Sequence, residues 1–226
     1  MSYSKVKSLV ANIEAIKTAS LIRREKRRAT QEEREVLARY SGFGGISEIL
    51  NLGTDIPIAD NLKTPLRELE EVLRQVAEDN EELYTALVKS LKSSCLTAFY
   101  TPKFIVDAVS NQIHQTFTAQ GLQMATFLEP SAGVGGFLPT AMQDTRKTAF
   151  EKDLITGLIL SALADDTQVV IDGFETIDSQ ELADGHYDVI ASNIPFGNFK
   201  VFDSEFDRMG MPYSQSTKTI HNYFFV

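Results

Sequence analysis

The sequence predicts an α/β protein, a parallel sheet with crossover helices, preceded by a mainly helical region. Three observations predict it. Through roughly the first ninety residues, apolar side chains recur at three- and four-residue intervals. After Tyr100-Thr101-Pro102, short β-rich apolar runs alternate with helical stretches. A glycine-dense turn follows the first of those runs.

The helical spacing runs from Val6 to Ile22 and again from Gln31 to Tyr40, with Thr30 and Glu33 at capping-box spacing for the second helix. Ser41-Gly42-Phe43-Gly44-Gly45 then interrupts it, because three glycines in four positions relax the backbone restrictions that hold a helix. A hinge or tight turn is expected there. Residues 46–60 read as irregular, and Pro65, suited to a first helical turn, opens a second stretch through Leu69, Val72, Leu73, Val76, Leu83, Leu87 and Leu91. Strands are expected near Thr126–Glu129, Thr148–Glu151, Val169–Asp172 and Tyr187–Ser192, with helices at 103–119, 135–144, 153–164 and 179–183. A shift of composition near residue 95 divides the chain into a helical region, 1–95, and an α/β region, 96–226.

With 226 residues, 43% hydrophobic and 23% charged, the chain has enough apolar surface to bury a core. It has no apolar run long enough to span a bilayer, and its start, MSYSKVKSLVANIEAIK, lacks the pattern of a secretory signal, so a cytoplasmic location is expected. Cys95 is the only cysteine, which excludes an internal disulfide. His114, His186 and His221 lie far apart without metal-ligand spacing, and no metal is expected. The net charge of -9 is uneven: residues 1–29 carry +6 and the remainder -15. The run Arg23-Arg24-Glu25-Lys26-Arg27-Arg28 is open to two readings, a phosphate-contacting patch or a solvated helix face.

Phe127-Leu128-Glu129-Pro130-Ser131-Ala132-Gly133-Val134-Gly135-Gly136-Phe137 runs from a strand toward a helix. Gly133 and Gly135 lack the Cβ atoms that would hold a ligand away from the backbone, and a helix start offers free N–H groups. About twenty residues on, a second strand ends in Ala149-Phe150-Glu151-Lys152, where a carboxylate can take both hydroxyls of a ribose. A nucleoside-containing cofactor is expected at the carboxyl ends of these strands.

The segment Glu129 to Leu138 resembles the cofactor motif of S-adenosylmethionine methyltransferases, in the version carried by adenine-specific DNA methylases. Ala98-Phe99-Tyr100-Thr101-Pro102 is similar to the segment that lies over the methionine end of the cofactor in the same family, although Thr101 and Pro102 also read simply as the cap and first residue of a helix. The resemblance implies a Rossmann-like methyltransferase sheet that binds S-adenosylmethionine. Its cofactor residues would be Tyr100, Thr101 and Pro102; the run Glu129, Pro130, Ser131, Ala132, Gly133, Gly135, Gly136 and Phe137; Glu151 and Lys152; and Asp172 and Phe174 after the third strand. By position, Glu129 would lie close to the cofactor's amino group, Glu151 would hold the ribose, and Phe174 would cover the adenine.

Asp188-Val189-Ile190-Ala191-Ser192-Asn193-Ile194-Pro195-Phe196-Gly197 ends the fourth strand in a polar residue followed by a Pro-aromatic pair. An exocyclic amine is a poor nucleophile because its lone pair is delocalised into the ring. If the Asn193 side-chain oxygen and the Ile194 carbonyl each accept one amine hydrogen, the nitrogen can pyramidalise toward an electrophilic methyl without a strong base. Phe196 would stack on a base taken out of the helix. The family pattern is Asn-Pro-Pro followed by Phe or Tyr; here Ile194 replaces the first of the two prolines, keeping the carbonyl and losing the rigidity. Asn193, Ile194, Pro195 and Phe196 are the candidate transfer site.

Ala38 to Gly45 and Ser214 to Phe225 are similar to segments of very large methylase-helicase proteins of phages and conjugative elements. The resemblance implies transfer of a methyl group to the N6 amine of adenine in DNA, as in restriction-modification, with DNA and a further recognition or helicase region as partners. It also implies a seven-stranded sheet, of which four strands are counted here, so 96–226 is expected to be an incomplete methyltransferase domain. Two other readings stay open: methylation of a protein glutamine, which also uses Asn-Pro-Pro-Tyr, and a non-catalytic module that keeps the fold and binds DNA or a partner protein.

Overall fold

The computed structural model describes residues 4–54, 56–97, 100–177, 186–195 and 200–224. In the helical region, α1 (Lys5–Glu25) starts at Ser4, whose side chain accepts from the Lys7 N–H, and stops at Lys26, which turns left-handed at φ 51°. Helix α2 (Gln31–Leu37) begins at Thr30 with both hydrogen bonds of the expected capping box in place. The irregular stretch holds one 3-10 turn, Ser47–Asn51. Helices α3 (Asp60–Val76) and α4 (Glu81–Thr97) follow.

Pro65 is not a first-turn residue. Helix α3 starts five residues earlier at Asp60, and Pro65 sits inside it, removing one N–H from the ladder while Leu62, Leu66, Leu69, Val72 and Leu73 carry the buried face. The stretch beyond is not continuous either, because Glu78 and Asp79 adopt positive φ, 51° and 60°, and turn the chain into α4.

The α/β region opens with α5 (Lys103–Gln120), closed by left-handed Gly121, close to the expected 103–119. There follow β1 (Thr126–Glu129), β2 (Arg146–Phe150), α6 (Leu154–Leu163), β3 (Thr167–Val170) and β4 (Val189–Ile190), then short helices α7 (Ser204–Met209), α8 (Tyr213–Ser216) and α9 (Ile220–Tyr223). Strands β2 and β3 begin two residues before their expected positions because Arg146, Lys147, Thr167 and Gln168, polar in sequence, still take part in the ladder. The expected helix at 135–144 is not formed: only a 3-10 turn, Leu138–Thr140, separates β1 from β2. Gly135 and Gly136 raise the cost of helix, and Pro139 contributes no N–H. The expected helix at 179–183 lies outside the described residues.

Among the described residues the sheet has four strands, all parallel, in the order β3-β2-β1-β4, with Thr126 opposite Arg146 and Phe127 opposite Val189. This order steps outward from β1 to β3, then reverses to place β4 on the other side of β1. In such sheets ligands bind at the reversal, beyond the carboxyl ends of β1 and β4. Val106 of α5, Phe137 and Leu138 of the turn and Leu160 of α6 share one cluster with Phe127 and Ala149 of the sheet. The remaining buried face of α6, Ile155, Leu158, Ile159 and Ala162, lies in a core with Leu9, Ile13, Ile16, Leu37 and Leu91 of the helical region. No helix among the described residues is long and apolar enough to cross a membrane.

Candidate functional site

Three strands deliver the candidate residues to one edge of the sheet: Glu129 is the last residue of β1, Glu151 follows β2, and Asn193 stands three residues past β4. Two bonds bring the last of these to the first. The Ala191 N–H donates to the Leu128 carbonyl at 3.1 Å, continuing the β4 pairing, and the Ser192 hydroxyl donates to the Ser131 carbonyl at 3.0 Å. The Asn193-Ile194-Pro195 segment therefore starts beside the glycine turn. All three of its residues are half-buried. Phe196 lies outside the described residues, as do Ala98 and Phe99.

The glycine turn is held to both neighbouring strand ends. The Ala132 N–H donates to the Phe150 carbonyl at 2.8 Å, the Gly133 N–H to Glu151 Oε2 at 2.7 Å, and the Phe137 N–H to Glu129 Oε1 at 3.0 Å. Glu151 Oε1 accepts from the Asp153 N–H at 2.7 Å. Gly133 and Gly135 have φ of 57° and 79°, a region that side chains with a Cβ rarely enter. Space gives a second reason. A Cβ on Gly133 would lie 2.8 Å from Cε1 of Tyr100, and one on Gly135 would lie 2.7 Å from Cδ1 of Leu138. Gly136 meets neither restriction, since nothing lies within 4 Å of its Cβ position.

Thr101 does not cap α5. Pro102 takes the cap position without a side-chain hydrogen bond, and the Thr101 hydroxyl is buried without a partner. The Tyr100 hydroxyl is likewise buried, close to Thr156 and Tyr40 but without a well-formed hydrogen bond to either, and burial raises its pKa. Glu129 Oε2 is a further such atom among the described residues. Glu129 is 1% exposed, and burial pushes its carboxyl up to about 8, offset in part by the Phe137 N–H. Glu151 is pushed up to about 7, again by burial, with the charge of Asp153 adding to it. The two carboxyls thus sit in surroundings that disfavour their charge.

The outer candidates are engaged with the protein itself. Lys152 pairs with Glu175, and the exposed Asp172 accepts from the Gly173 N–H at 2.7 Å. Phe174 stacks on Phe224, with ring centres 5.3 Å apart, and meets Phe150 and Tyr223 edge-on. One of its faces is already covered. In the basic run, Arg27 is forked onto Glu33 and also bonds Glu25, while Arg28 reaches Asp165 at 3.4 Å. All six residues of the run are exposed, so the solvated-face and phosphate-contacting readings both stay open. Among the described residues, no group of three or more His, Cys, Asp or Glu is placed to hold a metal ion.

Sequence reasoning missed two contributors. Asp153 caps α6 and braces Glu151, and Asn12 of α1 holds the Ser41-Gly42 turn that Tyr100 leans on. The Asp-x-x-Thr spacing ahead of α6 would have found the first; nothing local marks Asn12, whose partners lie 29 and 30 residues away.

No family model matches the chain, and no solved structure matches it. Over 102 residues, 45% of its length, the chain is 31% identical to Defense against restriction protein B of Escherichia phage P1. That match spans 4% of the phage protein, so the chain is similar to a short piece of a much longer one.

Proposed function

We propose that this chain binds S-adenosylmethionine at the carboxyl edge of its sheet and carries the segment that directs methyl transfer to the N6 amine of adenine in DNA. The observation that carries the reading is Glu129 Oε2, a carboxylate oxygen buried without a hydrogen-bond partner at the end of β1, where the strand order reverses. A buried carboxyl with an open acceptor fits a ligand that brings an ammonium group. Glu151 keeps one acceptor position on each oxygen after its bonds to Gly133 and Asp153, enough for the two hydroxyls of a ribose. The bound cofactor would supply a sulfonium methyl as electrophile.

The chain's own residues then position the acceptor. The Ser192–Ser131 bond fixes the start of the Asn193 segment against the cofactor turn. From there the Asn193 amide oxygen and the Ile194 carbonyl accept the two amine hydrogens and aim the nitrogen lone pair. With a sulfonium methyl as electrophile, the nitrogen would gain the methyl as the neutral thioether leaves and would give up one hydrogen as a proton through the acceptor pair to water, so alignment and two acceptors would suffice. Adenine's N6 amine is a donor that proteins read in the major groove. Methylating it within a cleavage site is one chemical route to the outcome named for the phage relative.

Calorimetric titration with S-adenosylmethionine tests the binding half: saturable binding is expected, lost in Glu151→Ala. Asn193→Ala should retain binding and lose transfer of labelled methyl to an adenine-containing oligonucleotide; transfer that survives this change sinks the assignment. A second reading, a non-catalytic module that keeps the fold and binds DNA or a partner protein, is favoured by Ile194, which stands where the transfer motif has a proline. Binding with no transfer by the unaltered chain would select it.

A further inference from the structure

We infer that the Ser41–Gly45 turn of the helical region is a wall of the cofactor site, and that Asn12 is the positioning residue that, through this turn, seats Tyr100 on Gly133. The inference rests on the S-adenosylmethionine reading above. It begins from an anomaly in α1, whose buried face is otherwise apolar: Leu9, Ile13 and Ile16 are buried, and so, at 0% exposure, is Asn12. Burying an amide is costly unless its hydrogen bonds are satisfied. The Asn12 amide nitrogen donates to the Gly42 carbonyl at 2.7 Å, and its oxygen accepts from the Ser41 N–H at 2.9 Å and the Ser41 hydroxyl at 3.4 Å. All of these bonds run to the turn.

The turn is fixed on its other sides as well. Phe43 is fully buried, and the Tyr40 hydroxyl lies 3.1 Å from that of Thr156 at the start of α6. What the turn presents is Gly42, at φ +70°, and against it lies the Tyr100 ring: a Cβ on Gly42 would stand 3.0 Å from the Tyr100 hydroxyl oxygen and 3.2 Å from Cε2. The opposite edge of the same ring abuts Gly133, where a Cβ would stand 2.8 Å from Cε1 and 3.1 Å from Cδ1. The ring is therefore held between two positive-φ glycines, one from each region of the chain, with no room for a methyl on either side. Gly133 in turn donates to Glu151. Motion of the turn is transmitted through a close-packed ring to the glycine and the carboxylate assigned to the cofactor. This gives the glycine-dense Ser41–Gly45 segment a role at the site.

The test uses the full chain carrying 3-fluorotyrosine at its seven tyrosines, with the Tyr100 fluorine resonance identified by Tyr100→Phe. Resonance position, melting temperature and affinity for S-adenosylmethionine are measured for Asn12→Ala and for Leu66→Ala, a core truncation in α3 without a hydrogen bond to the turn. Asn12→Ala is expected to move the Tyr100 resonance and weaken binding about tenfold, the loss of roughly one good contact. Leu66→Ala is expected to lower the melting temperature at least as much and leave both other readouts in place. Should Asn12→Ala not fold, Gly42→Ala carries the same expectation, since its methyl meets the Tyr100 hydroxyl. A folded Asn12→Ala or Gly42→Ala chain with unchanged resonance and affinity overturns the inference and leaves the cofactor reading standing. Absence of binding by the unaltered chain overturns the cofactor reading and the inference with it.

Discussion

Glu129 and Glu151, the buried carboxyls of the candidate site, are both held away from their ordinary charge state. Burial raises the first to about 8 and the second to about 7. The folded chain therefore holds protons that the unfolded chain has given up, so the stability these groups contribute is present below the ordinary carboxylate range and is lost as pH rises through 7 and 8. The ligand-free chain is expected to melt at progressively lower temperature from pH 5 to pH 8, with Glu129→Gln flattening the upper part of that fall. A melting temperature that rises across the window would mean the two carboxyls are ionised and paired. Cation binding at pH 7 should also release protons, visible as a dependence of the calorimetric heat on the buffer's ionisation enthalpy. The placement of both at strand ends was legible in the sequence, because a strand end followed by a glycine turn, and a strand end some twenty residues on, leave few other places for them. Thr101 was open to two readings, a cofactor residue or a helix cap, and the structure removes the second, since Pro102 takes the cap position of α5.

Among the elements, α6 shows how a helix start is shared between regions. Asp153 Oδ1 accepts from the Thr156 N–H at 2.7 Å as an N-cap, while Oδ2 accepts from the Ser90 hydroxyl at 2.7 Å, whose oxygen accepts in turn from the Leu154 N–H at 2.9 Å. Two free N–H groups of α6 are thereby satisfied by one cap and one residue of α4. Asp153→Ala is expected to cost about 1–2 kcal/mol by denaturant unfolding, with Asp153→Asn recovering most of it; an alanine variant as stable as the original would show that Ser90 alone caps the helix. Helices were read well wherever caps or apolar spacing are local: α1, α2, α5 and α6 all start within a residue of expectation. Tertiary packing acts in both helix misreadings, against the local signal at Pro65 and together with Gly135, Gly136 and Pro139 after β1. Pro65 is tolerated inside α3 because the leucines on either side of it are buried. The turn after Gly135 stays 3-10 because its Thr140 is drawn toward α5, where its hydroxyl lies 2.7 Å from that of Ser110 and its carbonyl 2.7 Å from His114 Nε2.

At the scale of the whole molecule, the composition shift near residue 95 separates two textures of sequence but does not separate two cores. Ile155, Leu158, Ile159 and Ala162 of α6 belong to the same cluster as Leu9, Ile16, Leu37 and Leu91, while Leu160 on the same helix faces the sheet cluster. Polar ties cross the same seam: Arg34 donates to the Leu163 carbonyl at 2.8 Å and to Asp165 at 3.0 Å. Helix α6 is thus a shared layer, and the helical region cannot unfold without exposing one side of it to water. The two regions are therefore expected to unfold as one cooperative unit, with far-ultraviolet circular dichroism, dominated by the helices, and tyrosine fluorescence giving coincident denaturant transitions. Ile159, fully buried at the centre of the shared layer, provides the probe. Ile159→Ala is expected to cost about 2–5 kcal/mol and to move both transitions together. A fluorescence transition that shifts while the helical signal stays in place would mean that the helical region is stable without α6, and that the seam at residue 95 is a true domain boundary.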